Sequence, residues 1–233
     1  MATYGLVPGA GGDDWYWHRV VPELAARGHD VVAVALPADD VSAGWAEYAD
    51  SITRAIGNRT SLVLVAQSLA GFSAPLVCER RPVDILVLLN AMIPRPSETG
   101  GEWWSNTGQQ AAQRDYLASI GLSLEAAPDD AVLYFHDVSP DVTADAFRRG
   151  EPDQSMTPMS QPWPLTSWPD VPMRVLVGRD DRLFPAAFQR RVARERLGIE
   201  ADDIDGGHLV ALSRPRGHVE RLEAYRLEAS RLR

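Results

Sequence analysis

The sequence predicts an α/β fold, a mostly parallel β-sheet covered by helices on both faces. Three observations predict it. Short aliphatic runs recur along the chain, at residues 4–7, 30–36, 61–65, 84–89 and 173–177. They are apolar throughout rather than alternating, as strands buried on both faces are. Segments with helical spacing separate them, which makes parallel crossovers the natural connection.

The run at 4–7 leads into a glycine-rich loop, Pro8-Gly9-Ala10-Gly11-Gly12. Residues 17–27 then carry apolar side chains at helical spacing, with Gly28 as the C-terminal cap. The run at 30–36 reads as a buried strand ended by Pro37, and 45–56 as a helix stopped by Gly57. A strand at 61–65 and a helix at 69–78 flank Ser68. The run at 84–89 is another buried strand. The run at 173–177 is followed by a turn and a helix over 186–197. A weaker strand at 200–204 leads to Gly206-Gly207-His208, and 214–232 forms the last amphipathic helix.

Residues 94–168 break the alternation. They hold no convincing strand pair, but helical patches near 107–120, 128–135 and 140–149. This reads as a helical lid inserted into a single domain spanning 1–233, with its core at 1–93 and 169–233. Trp103, Trp104, Trp163 and Trp168, with Met156 and Met159, either line a pocket under the lid or pin the lid to the sheet. Pinning is the simpler role for any one of them.

The chain of 233 residues is long enough to bury a full core. Its net charge of −9 argues against nucleic acid or an anionic membrane as partner. A single cysteine, Cys78, excludes an internal disulfide and reads as a small core residue. No secretory leader pattern precedes the first strand, and no apolar run reaches the roughly 18 residues of a membrane span. A cytoplasmic protein is expected. All 23 basic residues are arginine, so lysine chemistry is excluded.

The stretch LVAQSLAG at 64–71 puts Ser68 at a corner between strand and helix, with Ala66, Ala70 and Gly71 around it. Small residues at those positions permit the sharp turn of a nucleophile elbow, usually G-x-S-x-G and here A-Q-S-L-A. A serine that merely starts a helix is the plainer reading. A nucleophilic serine needs a histidine to take its proton and a carboxylate to orient that histidine. On a parallel sheet these lie on loops at the carboxyl ends of strands. Asp181, in GRDDRLFP after the 173–177 strand, is the candidate acid, with Asp180 as competitor and an ordinary turn aspartate as the alternative. His208 follows the late strand and is the candidate base. His18, His29 and His218 read as solvated. His136 lies in the insertion, where it either faces the pocket or has a structural role. Oxyanion donors are expected from the Leu69 N–H, at a helix start, and the Ala10 N–H in the first loop. That loop lacks the G-x-G-x-x-G spacing of dinucleotide sites, and Asp13-Asp14 would repel phosphates.

These segments resemble the plant methylesterase and hydroxynitrile lyase branch of the α/β-hydrolase superfamily. The resemblance lies in LVPGAGGDDWYWHRVVPELAARGHDVVAVALP, LLNAMIP, GRDDRLFPAAFQRRVARERLGI and DGGHLVALSRP, covering about residues 3–96 and 170–215. It implies an α/β-hydrolase fold with a helical lid, Ser68 as nucleophile, His208 as base then acid, Asp181 as its partner, and Ala10 and Leu69 as oxyanion donors. Two departures stand out. Pro8-Gly9 replaces the family's His-Gly, and the elbow differs from the common G-H-S-L-G-G. The lyase members share a threonine in the first loop and a lysine after the histidine. Here those positions are Gly9 and Leu209, as in the esterases.

The expected activity is hydrolysis of a small to medium, largely apolar carboxylic ester through an acyl-serine, without metal or organic cofactor. Gly9, His136, Trp104, Met156 and Leu209 are candidate substrate contacts. A lyase or other carbon–carbon bond enzyme on the same residues is one alternative, and a non-catalytic ligand binder another. The expected partner is a small-molecule ester, and a homodimer is compatible with the sequence.

Overall fold

The computed structural model describes residues 1–123, 129–150 and 153–231. Helix expectations that reach residues 128 and 232 extend, at those ends, outside the described residues. In chain order the first elements are β1 (Thr3–Val7), α1 (Val20–Ala25), β2 (Asp30–Ala33), α2 (Trp45–Ile56), β3 (Leu62–Gln67), α3 (Ala70–Cys78) and β4 (Ile85–Leu89). The insertion follows with α4 (Gly100–Thr107), α5 (Gln109–Ser119), α6 (Asp130–Leu133), α7 (Pro140–Arg149) and α8 (Thr157–Ser160). The chain ends with β5 (Met173–Gly178), α9 (Ala186–Leu197), β6 (Asp202–Ile204), α10 (Val210–Ser213) and α11 (Pro215–Arg231).

The strands form one parallel sheet in the order β2-β1-β3-β4-β5-β6. Because side chains alternate along a strand, each central strand feeds two cores. In β3, Leu62, Leu64 and Ala66 join Tyr48, Ile52 and Phe72 on one face. Val63 and Val65 join Trp17, Leu24, Val219 and Leu222 on the other. That is why β3 and β4 read as unbroken apolar runs.

Several elements depart from expectation, each for a local reason. The expected helix at 17–27 is split: a 3-10 turn at Asp14–Trp17, capped by the Asp13 carboxylate on the Trp15 N–H at 2.8 Å, precedes α1. The strand expected over 30–36 ends at Ala33, and β2 is a half-buried edge rather than a buried strand. Beyond it Leu36 N–H bonds to the Gly12 carbonyl at 3.0 Å, so this stretch supports the first loop instead. The helical patch near 107–120 is α5; α4, not expected from the sequence, precedes it, and Gly108 at φ +67° separates the two. The α4 start is a capping box in which Thr99 and Glu102 satisfy each other's backbone N–H. The short helices α8 and α10 carry too few turns to show a period.

Tryptophans fasten the insertion to the sheet layer. Two indole N–H groups donate to backbone carbonyls of the core, Trp103 to Ile93 at 3.1 Å and Trp163 to Phe72 at 2.9 Å, while Trp168 donates to Pro94 at 3.0 Å and ties the two ends of the insertion together. Two histidines expected to be solvated are not. His29 is tucked against Glu223, Nε2 to carboxylate 3.1 Å, with its side chain 5% exposed. His218 is fully buried on the inner face of α11 with Val219, Leu222 and Tyr225. Helical spacing from those apolar residues carries it inward despite the polar neighbours. Cys78 is free and half-buried.

Candidate active site

Ser68 sits between β3 and α3 with φ +52°, a backbone conformation that costs a non-glycine residue free energy. Its surroundings hold it there. Its N–H donates to Leu89 O at 3.1 Å, and its carbonyl accepts from Met92 N–H at 2.9 Å. The small residues around it are demanded by contact. A Cβ on Gly71 would lie 1.8 Å from the Met92 carbonyl oxygen, and one on Gly9 would lie 2.8 Å from Ser68 Cβ.

Asp181 follows β5 and is completely buried. One carboxylate oxygen accepts from the Leu183 and Phe184 N–H groups, both at 2.8 Å. The other lies 2.8 Å from His208 Nδ1. Asp180, the competing acid, is exposed. His208 Nε2 lies 3.0 Å from Ser68 Oγ. With the carboxylate accepting from Nδ1–H, the lone pair of Nε2 is turned toward the serine hydroxyl. Phe184 and Tyr134 meet the imidazole edge-on, at 5.1 and 5.9 Å between centroids. Ser68, His208 and Asp181 are thus joined in one buried chain of hydrogen bonds, from loops at the carboxyl ends of β3, β6 and β5.

Two further side chains support this chain. Asn90, at the end of β4, has φ +45° and is fully buried. Its Oδ1 accepts from Gly178 N–H at 2.7 Å, and its Nδ2 donates to the Gly207 and His208 carbonyls at 3.1 Å each. Gln189 of α9 donates to Asp181 at 3.2 Å and to Phe184 O at 2.6 Å. Sequence reasoning missed both. The available signal for Asn90 was one polar residue closing the apolar run ILVLL.

A cavity of about 350 Å³ opens beside the site. Its lining includes Gly9, Ala10, Gln67 and Leu209 and the aromatic side chains of Trp15, Tyr16, Phe135 and Phe147. Arg149 at its edge is paired with Asp13 at 3.0 Å and lies over the Trp15 ring. Burial pushes the Tyr16 phenol far up, keeping it neutral. Leu69 directly follows Ser68 at the start of α3, and Ala10 lies in the loop after β1. Of the expected substrate contacts, Gly9 and Leu209 border the cavity. The others do not. Trp104, half-buried, packs on Trp103 and Phe184 at the edge of the core. Met156 is 67% exposed at the start of α8. His136 lies behind the histidine loop, where a Cβ on Gly207 would come within 2.6 Å of its Nε2. Burial, then the Arg182 guanidinium, lower the His136 pKa. A larger groove of about 840 Å³ runs between α1 and the start of α11. Neither the three site residues nor their chain neighbours border it, and Arg216 on its rim is paired with Glu23.

Among the described residues, no group of three His, Cys, Asp or Glu is placed to hold a metal ion. Among them, no helix is long and apolar enough to cross a membrane.

Methylesterase 1 of Arabidopsis thaliana is 28% identical over 157 residues, which is 58% of this chain and 60% of that protein. Methylesterase 3 of the same plant is 27% identical over 128 residues, 49% of each chain. The chain therefore spans about half to three fifths of the length of these curated relatives. The crystal structure of polyneuridine aldehyde esterase superposes with a TM-score of 0.74 at 18% identity, covering 96% of this chain and 98% of that one. Residues 6–221 match the alpha/beta hydrolase family. The chain belongs to the alpha/beta hydrolase family, as a distant relative of the plant methylesterases.

Proposed function

We propose that the protein is a serine hydrolase that cleaves a small to medium, largely apolar carboxylic ester through an acyl-serine intermediate. The observation that carries this reading is the unbroken chain from Ser68 Oγ through the His208 ring to the Asp181 carboxylate. His208 Nε2 takes the hydroxyl proton as Oγ attacks the ester carbonyl, and Asp181 stabilises the imidazolium that forms. The Ala10 and Leu69 N–H groups receive the oxyanion, each worth roughly 3–4 kcal/mol. His208 then protonates the departing alkoxide, and water, activated the same way, releases the acid. The aromatic and aliphatic walls favour an apolar substrate, because the bordering Arg149 is already paired with Asp13. The methylesterase relatives support ester substrates.

The test offers purified protein short-chain p-nitrophenyl esters beside a Ser68→Ala control, with a fluorophosphonate probe as label. Turnover and labelling that both vanish in the variant are expected. Equal turnover in both proteins would remove Ser68 from the reaction. Ligand binding without labelling would mark a binder, and cyanohydrin cleavage without ester turnover a lyase.

A further inference from the structure

We propose that the insertion between β4 and β5 is the positioning frame of the site, acting through Gln109, Gln113, Asp137 and Gln154. The inference rests on the hydrolase reading above and extends it to residues that touch neither substrate nor reacting atoms. Each of these side chains reaches from the insertion to the backbone of one loop at the carboxyl end of the sheet.

The acid loop is held by two glutamines of α5. Gln113 Nε2 donates to the Arg182 carbonyl at 3.0 Å, and Gln109 Nε2 donates to the Leu183 carbonyl at 2.6 Å. The N–H ends of those same two peptide groups, on Leu183 and Phe184, hold the Asp181 carboxylate. Each glutamine therefore fixes a peptide plane whose other end carries the acid. Gln109 is 1% and Gln113 7% exposed, and the two amides also bond each other at 3.2 Å. A buried amide costs free energy unless its partners are in place, so these two specify one geometry of the loop.

The histidine loop is held by Asp137, whose Oδ2 accepts from Gly207 N–H at 2.9 Å, one residue before His208. The carbonyl of that same peptide, on Gly206, accepts from Asp180 N–H at 3.0 Å. Gly206 has φ +125°, so the loop has backbone freedom that a clamp removes. The oxyanion loop is held by Gln154, whose Oε1 accepts from Gly11 N–H at 2.9 Å. Its Nε2 is anchored on the Tyr48 hydroxyl at 3.1 Å. The Gly11 amide belongs to the peptide that follows the Ala10 N–H, so orienting it aims the oxyanion donor.

The insertion also supplies Phe135 and Phe147 to the cavity wall. One piece of chain thus contacts substrate space and sets all three loops.

The test compares Asp137→Leu and Gln154→Met, which remove the acceptor, with Asp137→Asn and Gln154→Glu, which retain it. For the first pair kcat should fall roughly 10- to 100-fold with KM within about threefold of wild type, and the second pair should recover most of the loss. If the apolar variants do not fold, Asp137→Glu and Gln154→Asn, which move the acceptor by one methylene, should give the same fall with melting nearly unchanged. Amide hydrogen exchange supplies a readout independent of turnover: each variant should speed exchange in its own loop, 204–209 or 8–12. Wild-type kcat and exchange in the variants would overturn the proposal, as would equal losses in the acceptor-retaining pair. A wild-type protein without Ser68-dependent turnover would defeat the hydrolase reading alone and leave the exchange result to decide this one.

Discussion

Asn90 donates from its side-chain amide to the His208 carbonyl at 3.1 Å while accepting from Gly178 N–H at 2.7 Å. One side chain at the end of β4 thereby joins the end of β5 to the loop that presents the imidazole. Asn90→Ala would leave buried backbone groups unpaired, at roughly 1–3 kcal/mol each. Thermal melting should fall clearly, and ester turnover should drop roughly 10- to 100-fold. Asn90→Asp keeps the acceptor for Gly178 but turns an oxygen toward two carbonyls. It should cost at least as much activity, and wild-type rates in either variant would refute the linkage.

The buried chain Ser68–His208–Asp181 makes the role of the acid measurable. Asp181→Asn preserves shape but removes the charge that faces His208 Nδ1 and that, in the proposed reaction, stabilises the imidazolium. A loss of turnover approaching 10⁴-fold is expected, on the order seen for such acids generally. Circular dichroism should stay unchanged. A loss below about tenfold would mean that another group orients His208.

Two glycines separate folding from function. Gly71→Ala would drive a Cβ into the Met92 carbonyl at 1.8 Å, a contact between backbones that no side-chain rotation relieves. Overpacking of this kind costs about 1–3 kcal/mol or more, and melting should fall by several degrees. Gly9→Ala would instead meet the Gln67 side-chain oxygen at 2.4 Å and Ser68 Cβ at 2.8 Å. Gln67 can turn aside, so the expected effect is displacement of the first loop, read as a fall in kcat with a smaller change in melting.

His218 predicts an acid sensitivity unrelated to the site. It is fully buried against Trp17, ring centroids 6.0 Å apart, with neither ring nitrogen hydrogen-bonded. Burial pushes its pKa down to about 3. The unfolded chain binds a proton below about pH 6.5, whereas the folded chain does not until about pH 3. Stability therefore falls as pH drops through that window, by up to about 1.4 kcal/mol per pH unit from this group. His218→Phe should flatten the dependence of urea midpoint on pH between 6.5 and 4. An unchanged slope would show that other groups dominate acid unfolding.

Much of the fold is legible in the sequence because its signals are local. The bounds of α2, α7 and α9 follow from helical spacing and from Gly57, Gly150 and Gly198 just past their ends. The corner at Ser68 is marked by the small residues that its φ of +52° and close packing require. Positions after strand ends single out Ser68, Asp181 and His208, whose side chains the fold brings within hydrogen-bond distance. The histidines were harder to read: polar neighbours in sequence suggested solvent for His218, although its face of α11 points inward.

The amino-acid sequence by itself determined which stretches become strands, where helices such as α2 stop, and which side chains stand at the carboxyl edge of the sheet. Only the tertiary structure decided that Met156 faces solvent, that Trp104 packs against the core, and that Asn90, Gln109, Gln113, Asp137 and Gln154 grip the loops. Periodicity, glycine and proline act over a few residues and leave a local record. The gripping hydrogen bonds from the insertion join residues 69 to 143 positions apart. Their partners are chosen by how the layers pack, and a backbone N–H or carbonyl awaiting a partner looks the same at every position of the chain.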